Sequence, residues 1–184
     1  MARLALLALA GAFVLPVALE AQSDQEIIDR ALAAAPARAR EDATVIRWND
    51  DYSYETLKEG TNRMVCYDRS SEERRAPFDV QCTSVANLPR VAQNRRFRAE
   101  GGDREGENAL LEAAEADGTR ILPEYGSVWI AMRGQDMESA TTHTTIAVPG
   151  ATAESTGLPE DGSQGGAWIM AAGTSTAHIM TPGS

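Results

Sequence analysis

His143 and His178 are the only histidines of this 184-residue chain, and Met170 and Met180 lie close to the second. Imidazole and thioether together suit a soft metal such as Cu(I). If residues around 178 form a strand, His178 and Met180 share a face, because side chains repeat every two residues there. His143, His178 and Met180 are therefore the candidate metal ligands, and copper is the metal that they would take. Against this, methionine is ordinary core filling, and two histidines so far apart in sequence need not meet. Haem fits poorly: there is no C-x-x-C-H, and His178 and Met180 on one strand cannot hold opposite faces of one iron.

A hydrolase needs a nucleophile, a base and an oxyanion donor in one place. Ser175, within Gly173-Thr174-Ser175-Thr176-Ala177, distantly echoes the G-x-S-x-G elbow, but it precedes an expected strand rather than a helix. His178 follows three residues later, too close for the usual triad. Asp136 and Glu138 pair two carboxylates beside His143 without the spacing of an EF-hand, so an exposed turn explains them. No complete catalytic set assembles. The reading that follows is a non-catalytic exported module that binds a ligand, a partner or the envelope. The alternative is a hydrolase, or a copper-binding protein, built on His143 and His178.

Export is read from the first residues. Arg3 precedes an apolar run from Leu4 to Leu19, and Ala21 offers a small residue for cleavage. The run is short for a membrane span, which takes about 20 apolar residues. Residues 1–21 thus read as a signal peptide and residues 22–184 as one domain, secreted or periplasmic, with no stable membrane anchor after cleavage. The net charge of −10 argues against nucleic acid, whose phosphates are bound through Lys and Arg. Cys66 and Cys82, the only cysteines, form an even count in an exported chain and so predict a disulfide. Their spacing matches neither C-x-x-C nor a zinc pattern. Arg90, Arg95, Arg96 and Arg98 cluster near the acidic stretch 103–117, and pairing between the two is expected.

These residues need elements to position them. Ser23 and Glu26 make a capping box, and Ile27, Ile28, Ala31, Leu32 and Ala35 recur at helical spacing up to Pro36. Strands are expected at 43–48, 52–58 and 63–67, followed by an exposed polar loop at 68–77. Helices are expected at 85–99 and 105–117, separated by Gly101-Gly102. The last third turns β-rich, with strands at 127–133, 142–148, 167–172 and 177–181. The pattern predicts an α+β fold: one antiparallel sheet, built from blocks 43–67 and 127–181, with an N-terminal helix and a helical middle insertion. The helices are expected on one face, and the apolar residues of the other face could curl the sheet towards a barrel. The disulfide would tie the third strand to the start of the helical middle. The last two strands are expected to form a hairpin around residues 173–176. Pairing Ala172 with Ala177 sets Met170 opposite Ile179; a slip of one residue sets Met170 opposite Met180 and brings His178 to the same face.

Four stretches resemble an uncharacterised group of small secreted bacterial proteins. They are RALAAAPARAREDATVIRW (30–48), LKEGTNRMVC (57–66), HTTIAVP (143–149) and GGAWIMAAGTSTAHIMTP (165–182). Arg63-Met64 stand where the group carries Gly-Trp. The resemblance implies export, one domain and the cysteine pair, and it brings no activity.

Overall fold

A computed structural model describes residues 16–182, with side chains from residue 24 onward. The expected signal segment lies mostly outside the described residues. The first helix, α1 (Pro16–Ala31), already spans the expected cut after Ala21, so Ser23 sits inside it rather than at its start. A single 3-10 turn (Leu32–Ala34) extends it until Pro36, whose ring cannot continue a helix. A short turn of helix, α2 (Ala37–Arg40), leads into the sheet.

Four strands follow: β1 (Thr44–Trp48), β2 (Tyr54–Lys58), β3 (Met64–Asp68) and β4 (Phe78–Ser84). Helices α3 (Leu88–Gly101) and α4 (Arg104–Ala116) come next. The chain then returns to the sheet as β5 (Val128–Gly134) and β6 (Thr141–Ala147). One turn of helix, α5 (Ala153–Thr156), precedes β7 (Trp168–Met170) and β8 (His178–Met180). The eight strands make one open sheet in the order β2-β1-β3-β4-β5-β6-β8-β7. The α+β class, the N-terminal helix and the helical insertion are as expected from the sequence.

Three features differ from that expectation. First, β1 and β3 run parallel while every other pair is antiparallel. The reason lies in the order: β3 passes over β2 to pair with the other edge of β1, and two reversals of chain direction leave it parallel to β1, while β2, largely exposed and carrying Glu55 and Lys58, stays at the edge. Second, β4 belongs to neither expected block. Phe78, Val80 and Cys82 alternate with Asp79, Gln81 and Thr83; Asp79 faces Arg69 and Arg75, Gln81 accepts from Tyr67, and Thr83 accepts from Asn87. The disulfide therefore joins two neighbouring strands. Cys66 and Cys82 stand directly opposite in the β3–β4 ladder, with Cα atoms 4.1 Å apart.

Third, helices cover both faces. On the first face, Val45, Cys66, Phe78, Val80, Cys82 and Ile130 pack under Ala31, Leu32, Ala34 and Ala35, whose small size lets the helix end lie close to the sheet. On the second, Ile46, Val65 and Tyr67 pack with Leu88 and Val91 of α3, flanked by Trp48 and Trp129. Consecutive Val65, Cys66 and Tyr67 are all fully buried, the mark of a strand covered on both sides. A third cluster, Val148, Ala151, Ile169 and Ala177, closes the first face beneath β7 and β8. Helix α3 stops short of the β6–β8–β7 end of the second face, and that boundary makes a groove.

Candidate functional site

The ladders place both histidines on the second face, since His143 pairs with Ala131 and His178 with Ala147. They do not meet. His143 lies four residues from Ala147 along β6, roughly 13 Å at about 3.3 Å per residue. Met170 stands opposite His178, and Ile169 opposite Ile179. This is neither of the two registers expected from the sequence, although its parity does set Met170, His178 and Met180 on one face. The strands are also shorter than expected, because residues 171–177 form a wide loop in which Ala171 and Gly173 take positive φ. Among the described residues, no three His, Cys, Asp or Glu side chains gather as a metal site.

Ser175 is nearly buried, and its Oγ donates to the Glu115 carboxylate and accepts from Arg90 at 3.4 Å. The hydroxyl pins the 171–177 loop to α3 and α4. Asp136 forms an exposed turn with Ser139, whose hydroxyl and backbone N–H hold its carboxyl below the usual range. The EGTN segment also does structural work. Thr61 and Asn62 donate their backbone N–H groups to Asp42, and the Asn62 amide donates to Ala39. Gly60 lies so close to that turn that a Cβ would sit 2.4 Å from the Asp42 oxygen.

The groove is built from α3 upward. Arg90, Asn94 and Arg98 recur every four residues and form one stripe about 12 Å long, at 1.5 Å per residue. Facing it is the second face of β4, β5, β6 and β8. One cavity of about 190 Å³ is lined by Arg69, Glu72, Arg75, Gln81, Val91, Asn94, Arg95, Arg98 and Trp129. A second, of about 210 Å³, is lined by Arg90, Asn94, Pro123, Trp129, Thr145, Ala147, Thr176, Ala177 and His178. Asn94 and Trp129 belong to both, so the two adjoin.

At the first end, the loop after β3 folds back and inserts Glu72 among guanidinium groups. Arg95 and Arg98 donate directly to its two carboxylate oxygens. Arg69 approaches Glu72 at 3.8 Å and Asp79 at 3.7 Å; Arg75 approaches them at 3.4 and 3.8 Å. Arg98 also reaches Glu107 at 3.2 Å, the one part of the expected pairing between the arginine cluster and the acidic helix that forms here. Asp79 is 1% exposed, and its Oδ1 has no hydrogen-bond partner; neither has the buried Nε of Arg95. Burial pushes the Arg95 guanidinium below its ordinary pKa, and Glu72 opposes that shift.

At the second end, Arg90 is 4% exposed and donates to the Ile121 carbonyl. Burial first, then the neighbouring Arg120, push its pKa down to about 10, so it stays charged at neutral pH. Arg120 donates to Gln93 and to the Asn94 Oδ1. That bond orients the Asn94 amide with Nδ2 as its remaining donor. Residues 68–77 read from the sequence as a solvated loop, so Arg69, Glu72 and Arg75 were not legible as site residues. Only the density of arginines at 90–98 signalled charge in this region.

No protein-family model matches this chain, and neither a curated protein nor a solved structure matches it. The groove's own chemistry must carry the functional reading.

Proposed function

We propose that this protein is an exported, non-catalytic binding module whose ligand lies in the groove between α3 and the β5–β6–β8 part of the sheet. The observation that carries this reading is the pair of adjoining cavities, lined from five separate elements and sharing Asn94 and Trp129. Hydrogen bonds from Tyr67 to Gln81 and from Arg120 to Asn94 orient lining side chains, as a preformed small-molecule site requires. Together the cavities reach the lower part of the roughly 300–1,000 Å³ range of such sites. Export rests on the signal-like start, on the resemblance to small secreted bacterial proteins, and on a disulfide of the kind that persists in oxidising compartments. Among the described residues no helix is long and apolar enough to cross a membrane. The sheet register separates His143 from His178, which does not support a copper site or a hydrolase centre that would use both.

Two experiments test the two halves. Protein recovered from the periplasm and medium should begin near Gln22 by N-terminal sequencing; exported protein with an intact Met1 end would overturn the signal reading. Ligand-observed NMR against a pool of organic acids, amino acids, sugars and sugar acids should give hits that Thr145→Trp abolishes and that persist unaltered for hours. Hits indifferent to the blocked groove, or converted to product, would overturn the binding-module reading.

A further inference from the structure

We infer that the groove's ligand is an acidic saccharide, a hexuronate-bearing chain whose carboxylate enters the arginine end while a sugar ring lies against Trp129; this rests on the binding-module reading above. The arginine end is built for a carboxylate. Glu72 already sits between Arg95 and Arg98, each of which gives one charge-assisted Nη1–H to a different carboxylate oxygen. Arg69 and Arg75 are left with long contacts of 3.4 to 3.8 Å, although their side chains are only 9% and 13% exposed. Arg75 spends only its Nε–H, in a 3.4 Å bond to Glu72, and Arg69 has no contact to a carboxylate closer than 3.7 Å, so the two nearly desolvated guanidinium groups have donors to spare for a second anion. The unpartnered Arg95 Nε beside them is an independent sign that the cluster is not self-satisfied.

The rest of the groove selects among anions. Tyr67 donates to the Gln81 Oε1 at 2.9 Å, so the Gln81 amide keeps its Nε2 donor, as Asn94 keeps its Nδ2. The Thr176 carbonyl, 2.7 Å from His178 Nδ1, can only accept, so Nδ1 carries a proton; in the neutral ring Nε2 is an acceptor. With the Thr145 hydroxyl, the groove offers donors and acceptors spaced along an aromatic side chain. That mixture matches ring hydroxyls and the flat face of a pyranose. A lone inorganic anion would leave Trp129, Thr145 and His178 unused.

The test is calorimetric titration of the mature protein with digalacturonate, its dimethyl ester, galactobiose, inorganic phosphate and acetate. Saturable binding of digalacturonate is expected, at least tenfold tighter than the ester, the neutral sugar, phosphate or acetate. Arg75→Gln and Thr145→Trp should each weaken it at least tenfold, with folding checked by circular dichroism. If Arg75→Gln fails to fold, Thr145→Trp decides, because its site is half-exposed. Ester or galactobiose binding as tightly as the acid would overturn the proposal, as would phosphate or acetate doing so, or variants binding unchanged. Pool hits that map to the groove while digalacturonate is not bound would defeat this ligand class and leave the binding-module reading standing. No hit of any kind would defeat both.

Discussion

Removing the Glu72 carboxylate would leave Arg69, Arg75, Arg95 and Arg98 facing only Asp79 and the half-buried Glu107. Breaking one side of a buried charge pair costs about 3 to 5 kcal/mol, since the remaining charges stay desolvated. Glu72→Ala is therefore expected to lose about 3 kcal/mol in a urea titration. Glu73, next in sequence, is the control. Its side chain is 63% exposed and its ion pair with Arg74 is 3.4 Å long, so Glu73→Ala should change stability by about 0.5 kcal/mol or less. Equal losses for the two variants would mean that the cluster is a solvated surface feature. The same residue explains why the site was hidden in the sequence. Glu72 lies in a polar run between two strands, and nothing local distinguishes it from a solvated loop residue. Its partners at positions 95 and 98 are more than 20 residues away, and pairing over that distance leaves no periodic trace.

At the level of elements, the parts decided by local alternation and helical spacing were legible. Strands β1, β3, β5 and β6 fall close to their expected ranges, as do the two middle helices. Strand β4 was missed because its second face carries Asp79 and Gln81, and it takes Arg69 and Arg75 to accommodate the one and Tyr67 to satisfy the other. The parallel β1–β3 pair was missed because chain order suggests a meander with β3 beside β2, whereas β3 takes the other edge of β1. Two expectations follow from the observed ladders. Reducing the Cys66–Cys82 bridge should cost about 3 kcal/mol by thermal or urea unfolding, the chain-entropy value for a loop of this length. A loss well under 1 kcal/mol would show that β3 and β4 hold together without it. For the last hairpin, the double variant Ile169→Cys with Ile179→Cys should close a bridge on oxidation, since those residues are direct partners. Closure of Met170→Cys with Ile179→Cys instead would restore the register expected from sequence and move His178 away from Met170.

As a whole molecule, this is an acidic chain that keeps an arginine cluster largely buried, beside a groove formed jointly by α3 and the sheet. Net charge keeps such a molecule soluble through repulsion; the arginines act at short range, where burial strengthens each contact. A competing surface exists. Leu122, Tyr125 and Val128 are exposed apolar residues, and Tyr125 and Val128 rim a separate cavity with Arg63 and Glu124. Ligand binding along α3 is tested most directly by an amide and side-chain NMR titration of the protein with digalacturonate. Shifts are predicted at the Gln81 and Asn94 side-chain amides, the Trp129 indole, and the backbone of Thr145 and His178, saturating together. Shifts confined to Leu122, Tyr125 and Val128, or no saturable shifts at all, would contradict the account.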